Sequence, residues 1–279
     1  MNCRRIPGVL FLIIASTFPS LIACQSSPTT AAAPADADCK ERPFTYDNGP
    51  LGPKHWCGAC NSSAATRQAP ITINTSEARP DGSLPVLDFS EYKSTSLVTS
   101  KDPHNLKVSY KDGQSYLSIG KKKYKLDQFH FHRPGEEAID NHRHKHRPAM
   151  VIHLVHTSVE PGDPVAIAVM VEEGKPEKNT EALVNKLIHH FPPPDGLQAG
   201  VEINAADLLP PKIFQSSYYR YTGSLTTPGC DGPVIFYVLK TPVFFSKHQL
   251  DKFQERYKLP NARPIQPTNG RLVEQTITK

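Results

Sequence analysis

The run Gln128-Phe129-His130-Phe131-His132 places two imidazoles two residues apart. On a β-strand, residues two apart point the same way. His130 and His132 then share a face with Gln128, while Phe129 and Phe131 take the other. A second apolar run follows, Val151-Ile152-His153-Leu154-Val155-His156, and its alternation puts Val151, His153 and Val155 on one face. If the two strands pair with these faces together, three imidazoles converge. Three protein ligands with a fourth position open to water is the pattern of catalytic zinc, whereas structural zinc sites are closed by four ligands. An H-x-H pair alone is usually an ordinary strand feature. The second His-bearing strand makes the difference here.

Around these histidines the chain resembles the α-class carbonic anhydrases. The resemblance is carried by QFHFH at 128–132, PGEEAI at 134–139, IHLVH at 152–156, GSLTTPGC at 223–230, VLKTPV at 238–243 and NARPIQP at 261–267, with GPKHW at 52–56 and RQAPITI at 67–73. These segments follow the family's order and span residues 41–279. The resemblance implies a mostly β, α+β fold: a large, mainly antiparallel twisted central sheet with a few short surface helices. It also implies a Zn2+ enzyme that reversibly hydrates carbon dioxide to bicarbonate and a proton, by way of hydroxide held on the metal. Zinc lowers the pKa of bound water from 15.7 to about 7, a figure that comes from carbonic anhydrase itself.

The family's site residues carry over to matching positions. His130, His132 and His153 match the metal ligands. Thr226 matches the threonine that orients the nucleophile, and Glu136 the buried glutamate that takes the threonine's proton. A hydroxyl has one proton. If Glu136 accepts it, Thr226 can only accept from the nucleophile. His104 aligns with the proton shuttle, 26 residues before the first ligand, a task suited to an unperturbed histidine pKa near 6.5. Tyr46 and Lys107 fall near the proton path. Gln128, Val155, Leu225 and Thr227 would form the substrate pocket.

Three departures stand out. Val151 occupies the place of a glutamate that usually accepts the Nδ1 hydrogen of the third ligand. Either another group or water replaces that carboxylate, or His153 is a less well oriented ligand. Phe236 stands where the family usually has a tryptophan. The insert 141–147, rich in His, Arg and Lys, reads as a solvated basic loop.

The remaining composition sets bounds. Twenty-seven prolines and sixteen glycines punctuate short β-rich runs, which suggests many strands and turns. A net charge of +5 with no Lys/Arg run interleaved with aromatics gives no nucleic-acid footprint. The amino terminus reads as an address: Arg4 and Arg5, an apolar run from Val9 to Phe18, then Leu21-Ile22-Ala23-Cys24. This is a secretory signal of lipoprotein type over 1–23, with Cys24 as the lipidation site. Residues 24–40 read as a low-complexity tether, and residues 41–279 as one catalytic domain. The expected location is the periplasm or the outer membrane, with membrane contact only through the lipid. Gln25 after the cysteine fits outer-membrane sorting.

Six cysteines are encoded. Four remain after Cys3 is cleaved away and Cys24 lipidated, and an even number in an oxidising compartment suggests two disulfides. Extracellular members of the family imply a Cys60–Cys230 bridge, which leaves Cys39 and Cys57 for the second. A Cys57-x-x-Cys60 redox or zinc pair is the alternative. A second functional alternative is a zinc-binding module of the same fold with weak or no activity, serving as a binding protein.

Overall fold

The computed structural model describes residues 39–62, 64–100, 103–111, 114–141, 145–190, 196–258 and 260–277. The predicted signal, Cys24, most of the tether and His142 to His144 of the insert lie outside the described residues. Cys39 is buried and disulfide-bonded to Cys57, so the folded domain reaches back at least to that residue.

The core of the fold is a thirteen-stranded sheet. Its central path runs through the strands Lys107–Ser109, Lys122–His132, Met150–Ser158, Val165–Glu173, Val234–Leu239 and Tyr218–Gly223. Most neighbours are antiparallel. The pairing of Val165–Glu173 with Val234–Leu239 is parallel, so the sheet is mixed. A separate three-stranded sheet includes Thr72–Asn74 and Ala138–Asp140. Two α-helices, Lys178–His189 and Lys247–Arg256, occur among the described residues. Neither is long and apolar enough to cross a membrane.

Alternation sorts the two histidine strands as the sequence requires. Phe129, Phe131, Ile152 and Leu154 join the main core, against Leu183, Val184 and Leu187 of the first helix and Phe253 of the second. Each such side chain, fully buried, contributes roughly 1.5–3 kcal/mol. Phe131 packs on Phe253 with ring centroids 4.9 Å apart. The second helix is held at its start by a reciprocal cap, in which the Gln249 N–H donates to Ser246 Oγ and the Ser246 N–H donates to Gln249 Oε1. The opposite face carries a second apolar cluster with Val151, Ala168, Tyr221 and Phe236. The histidines open onto this second face, with a rigid core behind them.

Candidate metal centre

The strands Lys122–His132 and Met150–Ser158 are antiparallel neighbours, and His153 lies directly opposite His130, as Val151 does opposite His132. The three rings therefore converge. Their centroids are 4.9 Å (His130–His132), 5.5 Å (His130–His153) and 5.0 Å (His132–His153) apart. One nitrogen from each ring can be chosen so that all three lie within 4.8 Å of one another.

The other ring nitrogens are engaged by acceptors. His130 Nδ1 donates to Gln128 Oε1 at 2.8 Å, and His132 Nδ1 donates to the Asn261 carbonyl at 2.7 Å. His153 uses the opposite nitrogen: its Nε2 faces Glu137 Oε2 at 3.4 Å. The carbonyl and the carboxylate can only accept, so these nitrogens carry the hydrogens. The lone pairs are left on Nε2 of His130 and His132 and on Nδ1 of His153. His132 Nε2 is buried without a hydrogen-bond partner. Three imidazole nitrogens facing one another, one of them an orphan, fit a zinc ion, whose bonds to histidine are about 2.0–2.1 Å. The sequence expectation that a partner would take the Nδ1 hydrogen of His153 is thus corrected to Nε2.

Burial sets the charge states. It holds His130 well below the ordinary histidine range, helped by His132, His153 and Lys107. It takes His132 down to about 3, with the neighbouring His153 adding to the effect and the Asn261 carbonyl opposing it. Both stay neutral at neutral pH, as metal ligands must. For His153 burial also opposes the charge, but Glu137 and Glu136 outweigh it and its pKa is raised.

Two adjacent carboxylates support the ring cluster. Glu136 and Glu137 are both fully buried, so neither is the surface residue an adjacent pair suggests. Glu136 Oε1 accepts from the Arg263 main-chain N–H at 2.8 Å. Thr226 lies near the same carboxyl and favours its charged form, and Oε2 closes no hydrogen bond of ordinary geometry. Burial raises Glu136 to about 7, against the pull of His153. Glu137 Oε1 accepts from the Tyr221 hydroxyl at 3.1 Å. Burial opposes its ionisation too, yet the His153 charge and hydrogen bond outweigh it, and its carboxyl falls below the ordinary value.

His130 and His153 open into a cleft of about 420 Å³, also lined by Gln128, Val155, Leu225, Thr226, Thr227 and Phe236, with His132 buried behind them. Phe236 meets the His153 ring edge-on at 5.7 Å and keeps the wall apolar. Lys107 lines the cleft opposite His130 in register. His104 and Tyr46 stand further back. They belong to an aromatic group in which Phe44 packs 4.3 Å from His104, and Phe44 itself lines the cleft. Larger grooves lie around residues 85–90 and around Arg67 and Arg271, but neither is lined by a histidine.

Sequence reasoning missed three residues of this site, Glu137 and two others. Asn261 holds His132 through its carbonyl, and its side chain ties together Arg133 N–H and the carbonyls of Phe131 and His104. Arg263 is buried, and its guanidinium donates to Gln68 Oε1 and to the carbonyls of Ala69 and Cys60. Asn261 and Arg263 both lie in the NARPIQP segment, which carries the resemblance without implying a role for either. The cysteines pair as Cys39–Cys57 and Cys60–Cys230, so Cys57 and Cys60 do not form a dithiol with each other. The second bridge fastens the loop after Thr226 to the segment held by Arg263. There Gly58, at φ +72°, lies so close to Gly229 that a Cβ would sit 2.7 Å from its carbonyl oxygen.

Comparison with known proteins agrees with this geometry. Residues 51–277 match the family model of the eukaryotic-type carbonic anhydrases. The chain is 35% identical over 236 residues to a carbonic anhydrase of Klebsiella pneumoniae, covering 82% of this chain and 89% of that one. It is 32% identical over 212 residues to a carbonic anhydrase of Neisseria gonorrhoeae, covering 76% and 78%. Among solved structures, the α-carbonic anhydrase of Thermovibrio ammonificans, in complex with the inhibitor sulfanilamide, superposes with a TM-score of 0.69 at 30% identity, over 83% of this chain and 98% of that one. A Chlamydomonas reinhardtii carbonic anhydrase in complex with acetazolamide gives 0.70 at 29% identity, over 84% and 99%. With its fold, its histidine cluster and its relatives in agreement, the chain belongs to the α-class, or eukaryotic-type, carbonic anhydrases, whose general reaction is the hydration of carbon dioxide.

Proposed function

We propose that the chain hydrates carbon dioxide through one zinc ion held by His130, His132 and His153. The reaction is CO2 + H2O to HCO3− and H+, and it is reversible. The observation that carries this reading is the set of three ring nitrogens left facing one another after each second nitrogen has found an acceptor. Zinc bound there would supply a nucleophile at neutral pH by lowering the pKa of water.

The chain's own residues do the rest. Arg263 N–H donates to Glu136 Oε1, and the unpartnered Oε2 would accept the Thr226 proton. The Thr226 oxygen is then an acceptor only and fixes the orientation of the attacking water. Val155, Leu225 and Phe236, with Thr227 beside them, offer a small apolar wall to a nonpolar gas, and Gln128 holds the His130 ring. His104 would take the product proton to buffer, with Tyr46 and Lys107 bordering the route. Zinc content and carbon dioxide hydration measured on one purified sample test this. Activity without stoichiometric metal would end it.

We further propose that the protein works outside the cytoplasm, in the periplasm or on the outer membrane, tethered by a lipid on Cys24. The signal-like leader supports this, as do two disulfides that suit an oxidising compartment. Labelling with a radioactive fatty acid, lost in Cys24→Ser, tests the tether. Val151, which cannot hold His153, is the one feature that favours a non-catalytic module of the same fold. Glu137, beside the His153 ring, weakens that ground.

A further inference from the structure

Valine at 151 cannot accept a hydrogen bond, and it sits two residues before a ligand on the same face. We propose that Glu137 is the positioning residue for His153, a carboxylate supplied by the turn after the first histidine strand in place of one from the ligand's own strand. The proposal rests on the reading of His153 as a zinc ligand.

Four observations carry it. Glu137 is fully buried, and a buried carboxylate must be paired. Its Oε2 lies 3.4 Å from His153 Nε2, the nitrogen turned away from the ring cluster. Its Oε1 is held from the other side by the Tyr221 hydroxyl at 3.1 Å. Val151, Tyr221 and Phe236 belong to one apolar cluster, and Phe236 touches both the Tyr221 and His153 rings. Tyr221 alone would need only one carboxylate oxygen. The second is aimed at the ring. This fixes the tautomer of His153, so that Nδ1 presents its lone pair, and it limits rotation of the ring. Carboxylate–histidine–metal pairs of this kind are typically worth 10–100-fold in metal affinity or activity.

His153 Nε2 has one hydrogen to donate. A carboxylate at 151 and one at 137 would compete for a single N–H. The effect of Val151→Glu should therefore change sign with the residue at 137, and a double-mutant cycle reads that directly.

The test is zinc release from the metal-loaded full chain into excess chelator at fixed pH. Glu137→Ala should release zinc about 10–100-fold faster than the parent. Glu137→Gln keeps an acceptor without the charge and should fall between the two. Val151→Glu should speed release in the parent background and slow it in the Glu137→Ala background. A purely structural Glu137 would give no such sign change. Should Glu137→Ala fail to fold, Glu137→Gln and Val151→Glu still decide the matter. Parent-like release from folded Glu137 variants, or a Val151→Glu effect of one sign in both backgrounds, would overturn the proposal. A parent that holds no zinc would overturn the metal reading itself. A parent that holds zinc as tightly as its Glu137 variants overturns the role of Glu137 alone.

Discussion

The main-chain N–H of Arg263 donates to Oε1 of Glu136 at 2.8 Å, inside a region closed to solvent. This contact sets the two oxygens of one carboxylate apart: Oε1 is engaged by the backbone, while Oε2 is buried with no hydrogen-bond partner. In the proposed function Oε2 accepts from the Thr226 hydroxyl.

Glu136→Gln should therefore be more damaging than its size suggests. The Arg263 N–H demands an acceptor, so the amide oxygen would turn toward it. The NH2 group would then face Thr226 and force that hydroxyl to accept. Turnover should fall by about two to three orders of magnitude, the usual scale for losing one preorganised hydrogen bond. Zinc content should not change. Steady-state kinetics with metal analysis on the same sample check both statements.

Thr226→Ala should lower turnover by a similar factor with zinc retained. The two residues act as one path, so the double variant should cost little more than either single one. Multiplying losses would mean that Glu136 and Thr226 act separately.

His132→Ala should abolish both bound zinc and hydration. His132 Nε2 is the buried nitrogen left without a partner, and alanine removes both that ligand and the Asn261 anchor of the ring. Zinc at one equivalent in the purified variant would contradict the ligand assignment.

Much of this was legible in the sequence because strand alternation has a period of two. Gln128, His130 and His132 share a face by spacing alone, and the same rule aligned His153 opposite them. The partners behind the ligands were hidden for definite reasons. Asn261 and Arg263 act on His132 and Glu136 through their main-chain carbonyl and N–H, groups that every residue carries. Glu137 follows Glu136 directly, and its neighbouring carboxylate gives no sign that it too is buried. Its burial depends on a turn that directs two neighbouring side chains to different partners, one of them Tyr221, 84 residues away. The resemblance supplied roles for Thr226 and Glu136, but it could not say what replaces the carboxylate missing at 151.

His104→Ala should slow turnover chiefly in dilute buffer, with partial recovery in concentrated imidazole. His104 stands behind Phe44 at the edge of the cleft, with Tyr46 close by. Its work is proton export, which limits the rate only when buffer is scarce. Equal activity of variant and parent at low buffer would remove His104 from the route. It would turn attention to His146, which the structure pairs with Glu172 at the surface.

His156 makes a prediction about stability instead of catalysis. It is fully buried on the core side of the second histidine strand, with Nε2 2.6 Å from the Tyr92 hydroxyl and Nδ1 without a hydrogen-bond partner. A charged ring there would carry an N–H at Nδ1 with no acceptor. Burial takes its pKa from 6.5 down to about 4. Between those values the unfolded chain binds a proton that the folded chain refuses, so stability falls as pH falls through this window. The contribution is complete above pH 6.5 and exhausted below about 4, and it amounts to on the order of 3 kcal/mol. His156→Gln keeps an acceptor for Tyr92 but cannot titrate. Denaturant unfolding of zinc-free parent and variant, from pH 7 to pH 4, isolates the term, because the other buried histidines are common to both. The parent should lose about 3 kcal/mol more than the variant over this range. Equal losses would show that His156 is already protonated in the fold, or that acid opens the Tyr92 contact before it reaches the ring.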